Sequence, residues 1–66
     1  MDNNTFAGKW KQLKGNVKDQ WGKLTNDDID RVDGKWENFV GRIQERYGKS
    51  QDEADKEARA YFDKMS

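Results

Sequence analysis

Apolar residues in the first half of the chain fall at Phe6, Trp10, Leu13, Val17, Trp21 and Leu24, in steps of four, three, four, four and three. The second half repeats the rhythm at Val32, Trp36, Phe39, Val40, Ile43 and Tyr47. Steps of three and four place side chains on one face of an α-helix, whereas a half-buried strand alternates every second residue. Proline, which would break such a run, is absent from the chain. The pattern therefore demands long amphipathic helices whose apolar faces need something to cover them.

The two halves share more than rhythm. "GKWKQLKGNVKDQWGK" starts at Gly8 and "GKWENFVGRIQERYGK" starts 26 residues later at Gly34. Leu13 then corresponds to Phe39, Val17 to Ile43, Asp19 to Glu45, and Trp21 to Tyr47. An acidic stretch follows each unit. Thr25 with Asp28 and Ser50 with Glu53 read as capping boxes, the second the better of the two. Asp27, Asp28, Asp52 and Glu53 suit the positive end of a helix beginning there. The spacing predicts an all-α fold with helices near 5–21, 26–33, 35–47 and 51–64. It further predicts a single domain over 1–66, built as two roughly orthogonal helical hairpins related by the 26-residue pseudo-repeat. The expected core is Phe6, Trp10, Leu13, Val17, Trp21, Leu24, Ile29, Val32, Trp36, Phe39, Val40, Ile43, Tyr47, Ala58, Tyr61 and Phe62.

Glycines recur every seventh place, at 8, 15 and 22 and again at 34, 41 and 48. At 100° per residue they lie opposite the apolar seam, so they do not read as core spacers. Gly22 and Gly48 suit helix C-caps, and Gly8 and Gly34 fall in or near first turns. Gly15 and Gly41 weaken helix interiors, each by about 1 kcal/mol relative to alanine. They are tolerated, or each marks a bend, or they clear a strip for another backbone.

Composition limits the chemistry. With 66 residues the core is thin, and no cysteine or histidine is available for a disulfide or a typical zinc site. The same lack removes the usual Ser-His, Cys-His and metal-activated water mechanisms. Carboxylates cluster in helical runs, and "DDIDRVDG" lacks both the alternating ligands and the closing Glu of a calcium loop. The glycines form no phosphate-cradling turn. The expectation is a non-enzymatic protein with no catalytic residues, cofactor or metal.

Charged residues make up 39% of the chain but sum to a net charge of zero. They fall in blocks: Gly8–Leu24 carries five Lys against one Asp, and Thr25–Gly34 four Asp against one Arg. Lys9, Lys11, Lys14, Lys18, Arg42 and Arg46 form the candidate interaction surface. They could meet phosphates, although nucleic-acid proteins normally carry a net positive charge. "WKQLKGNVKDQWGKL" has the lysine-rich polar face and flanking Trp of an interfacial helix. No stretch has the length and apolarity of a membrane span or signal peptide, so the expected compartment is the cytoplasm.

Several short pieces carry a family likeness. They are Trp10-Lys11-Gln12, Lys14-Gly15, Trp21-Gly22-Lys23-Leu24-Thr25, Asp27-Asp28, Gly34-Lys35 and the run from Val40 to Gly48, "VGRIQERYG". Together they resemble the CsbD-like family of small bacterial general stress-response proteins over nearly the whole chain. The resemblance implies a soluble, cytoplasmic helical bundle associated with stress, and supplies no catalytic or binding residues. The tail "ARAYFDKMS" is short for the family and its end is expected to fray. Expected partners are other proteins under stress, met through weak contacts by a monomer or weak dimer. Nucleic acid and a membrane surface are the alternatives.

Overall fold

The structure is a computed structural model that describes residues 3–65. It consists of four helices: α1 (Asn3–Gln20), α2 (Asn26–Val32), α3 (Trp36–Tyr47) and α4 (Gln51–Met65). Among the described residues there is no strand. The frayed end expected of the tail concerns Ser66, which lies outside the described residues, while α4 runs to Met65.

Local chemistry sets the helix ends. Thr25 is extended and caps α2: its Oγ1 accepts the Asp28 N–H at 3.1 Å, and Asp28 Oδ2 accepts the Thr25 N–H at 3.0 Å. At α4 the Ser50 hydroxyl accepts the Glu53 N–H at 3.2 Å, which is only half of that reciprocal pair. The complete capping box is thus the first, reversing the order expected from sequence. α2 stops at Val32 because Asp33 turns left-handed, with φ 51°. α3 ends at Gly48, also left-handed, whose N–H reaches Gln44 O at 2.9 Å.

Gly22 is not a left-handed cap, since the positive-φ glycines are Gly34 and Gly48. Gly34 corrects a second expectation, that the glycines keep clear of the packing. It is buried in the α2–α3 turn at φ 69°, where a Cβ would lie 3.2 Å from Ala7 Cβ. That turn therefore lies directly against α1.

α3 is the central element and packs against α1, α2 and α4. Its apolar side chains Trp36, Phe39, Val40 and Ile43 are buried. α1 adds Phe6, Trp10, Leu13 and Val17, and the chain leading to α2 adds Trp21 and Leu24. α2 adds Ile29 and Val32, and α4 adds Ala54, Ala58 and Phe62. Phe6 lies at the centre of an aromatic cluster, with ring centroids 5.2 Å from Trp36, 5.4 Å from Trp10 and Phe62, and 5.7 Å from Phe39. Edge-to-face and tilted contacts of this kind add about 0.5–1.5 kcal/mol each beyond burial.

Two expected core residues, Tyr47 and Tyr61, are only half-buried at the core's edge. Their hydroxyls explain the difference: a phenol oxygen stays where a polar partner or water can reach it. Tyr47 Oη accepts the Lys23 N–H at 3.0 Å. Tyr61 sets its ring edge-on to Trp21 at 4.9 Å, and burial raises its pKa. Ala54, absent from the expected core, is fully buried. It lies one turn before Ala58 on the α4 face that meets α3, where small side chains let the two helices approach.

Candidate functional site

The most strongly organised polar group centres on Asp28, 1% exposed. The capping box fixes its carboxylate at the start of α2. Arg46 then binds it through two parallel bonds, Nε to Oδ2 at 2.7 Å and Nη2 to Oδ1 at 2.9 Å. Arg42 Nη1 approaches Oδ1 at 3.4 Å, and its Nη2 pairs with Glu45 at 2.5 Å. Arg42 and Arg46 sit four apart on α3, so both guanidinium groups reach the same place. The bonds from Arg46 hold Asp28 well below the usual carboxylate range, overcoming the opposite push from burial.

A second tie joins α3 to α4. Trp36 Nε1 donates to Asp55 Oδ1 at 2.9 Å, and Arg59 Nε donates to Asp55 Oδ2 at 2.7 Å. The Trp36 bond, with help from Arg59, lowers the Asp55 pKa. Lys49 pairs with Glu57 nearby. Asp28 and Asp55 are therefore both held ionised by donors that occupy their oxygens. A general acid requires the opposite shift and an open approach. Among the described residues no three His, Cys, Asp or Glu side chains converge as metal ligands would. No helix among them is long and apolar enough to cross a membrane.

The six basic candidates divide into distinct environments. Arg42 and Arg46 are committed to Asp28. Lys9 is half-buried on α1, its ammonium 5.2 Å from the centre of the Phe62 ring. Lys18 reaches Asn26 Oδ1 at 2.9 Å across the gap to α2. Lys11 and Lys14 are exposed on α1, and no side-chain hydrogen bond or ion pair holds them among the described residues. The arginine cluster could not be foreseen from apolar spacing, because its key residue is a carboxylate. The capping signature Thr25–Asp28 was the available signal, but it shows neither burial nor partners.

Four helices around an aromatic core, tied by two ionised aspartates, define a small all-α protein whose organised polar groups serve as structural ties. Residues 4–56 match the CsbD-like family, and the chain belongs to it. A UPF0337 protein of Bordetella pertussis is 50% identical over 64 residues, 97% of each chain. A UPF0337 protein of Pseudomonas aeruginosa is 46% identical over 65 residues, 98% of this chain and 100% of that one. A relative from Mesorhizobium japonicum is 68% identical over 31 residues, 47% of this chain. There the match spans about half of the relative's own length, 46%. No solved structure matches the chain.

Proposed function

We propose that this chain is a non-catalytic stress-response protein that acts through weak, many-point contacts with other macromolecules. The observation that carries this reading is the distribution of its chemistry. All three Trp and all three Phe are at most 9% exposed, while the surface is dense in charge of both signs. With the large aromatic side chains buried, the exposed side chains that can meet other macromolecules are largely charged or polar. Membership of the CsbD-like family supports the stress role. The test is protection of a heat-labile or drying-labile enzyme at stoichiometric amounts. The expected result is more soluble, active client than an equal mass of an inert helical protein preserves. Equal protection by the inert protein would remove the basis for the reading.

A second reading, nucleic-acid binding, draws on Lys11 and Lys14, whose ammonium groups are free for phosphates. Arg42 and Arg46 support it less, being bound to Asp28. It requires salt-sensitive binding, lost on charge reversal at Lys11, Lys14 and Lys18. No mobility shift with DNA or RNA at low salt would end it.

A further inference from the structure

α1 and α2 both pack on α3 and touch each other little. Between them runs a groove of about 300 Å³. Lys11 and Lys14 line the α1 side. Asp30 on α2 and Asp33, its C-cap, line the other. Trp10 and Ile29 lie between, 6% and 7% exposed, and supply an apolar base. At the next turn of α1, Lys18 spans the same gap to Asn26 and bounds the trough at that end.

Opposite charges face each other here without meeting. Among the described residues neither lysine forms an ion pair with either aspartate, and none of the four side chains has a hydrogen-bonding partner. Elsewhere on this surface such charges close on each other, as Asp27 does with Arg31 at 2.9 Å. An anion entering the groove would be drawn to the lysines but repelled by Asp30 and Asp33. A cation would meet the reverse. A molecule carrying both charges, separated by one or a few methylene groups, satisfies both walls and covers the base.

We propose that this groove is a binding site for a small zwitterion, an amino acid or a betaine. Its carboxylate would lie against Lys11 and Lys14, its cationic end against Asp30 and Asp33, and its apolar middle over Trp10 and Ile29. The volume is at the small end for ligand sites, which suits a molecule of this size. Exposed ion pairs contribute little individually, so the affinity is millimolar. A site of that strength responds to solutes only when they accumulate. The site does not depend on the stress-protection reading.

The experiment follows backbone amide and indole N–H signals by NMR at constant ionic strength. The probes are γ-aminobutyrate, with butyrate and butylammonium as its single-charge counterparts, and glycine betaine, with acetate and tetramethylammonium as its own. The expected result is saturable shifts, for at least one zwitterion, confined to the groove lining, among them Trp10, Lys11, Lys14, Ile29, Asp30 and Asp33. Each single-charge counterpart binds several-fold more weakly. Lys14→Gln and Asp30→Asn, both at exposed positions, each weaken zwitterion binding by about threefold, the scale of one exposed pair, with helical circular dichroism unchanged. Non-saturating shifts, equal binding of a single-charge counterpart, or full binding by both variants would overturn the proposal.

Discussion

At the scale of single residues, Asp28 does most to fix the arrangement of the helices. It completes the capping box that Thr25 begins on α2, and through Arg46 and Arg42 it ties α2 to α3. Asp28→Asn leaves one oxygen where two served several donors. It is expected to destabilise the fold by about 2–3 kcal/mol, combining a weakened capping box with lost charge-assisted bonds. Asp27→Asn, which removes an exposed pair with Arg31 and one charge in the first turn of α2, should cost no more than about 1 kcal/mol. Thermal unfolding followed by circular dichroism compares them. The same residue sets an acid dependence. The unfolded chain protonates Asp28 near its ordinary value of 3.8, while the folded chain keeps it ionised to much lower pH. Between those limits the unfolded state binds more protons, so stability falls as the pH is lowered through that range. The contribution is fully present above the ordinary value. Melts from neutral pH down to about pH 2.5 should show this loss, which Asp28→Asn should reduce. From sequence, Asp28 was visible as part of a capping box and as one of several acidic residues. Its burial depends on Arg42 and Arg46 arriving from α3, a contact between residues 14 and 18 positions away.

At the scale of elements, the glycine pattern that looks uniform in sequence divides into two kinds. Gly15 is exposed in the middle of α1, and a Cβ there would meet nothing within 4 Å. Gly15→Ala should therefore stabilise the protein by about 1 kcal/mol through helix propensity alone. Gly34 has φ 69° and the Ala7 backbone 3.3 Å from where a Cβ would sit. Gly34→Ala should cost about 1–2 kcal/mol from the left-handed backbone, and more if Ala7 has to move. Denaturant unfolding of the two variants should shift the midpoint in opposite directions. Equal shifts would contradict this division. The heptad spacing could not separate the two, because the sign of φ is decided by the turn that carries α3 away from α2. The helices themselves were legible, since the three-and-four rhythm of Phe6, Trp10, Leu13 and Val17 has no other regular solution. Their ends were less so: Val32 closes α2 because Asp33 turns left-handed, a conformation asparagine and glycine adopt more readily.

At the scale of the whole molecule, the fold is the closure of one aromatic cluster drawn from α1, α3 and α4. Phe6 touches rings from both of the other helices, so no pair of helices completes the cluster alone. Among the described residues Trp21 Nε1 is buried with no protein hydrogen-bond partner. The surroundings of the basic residues were the least legible part. Basic residues are easy to count, but whether each faces solvent, a ring or a carboxylate depends on the neighbouring helix. That is why Lys11 and Lys14 differ from Lys9, and both from Arg46. The closure itself is tested most directly by quenching tryptophan fluorescence with acrylamide, because Trp10, Trp21 and Trp36 are 6%, 2% and 9% exposed. The native protein should emit at short wavelength and quench weakly, with both properties lost together in concentrated guanidinium. Native emission and quenching like those of the unfolded chain would show the indoles in water, and the helices could not then be packed as described.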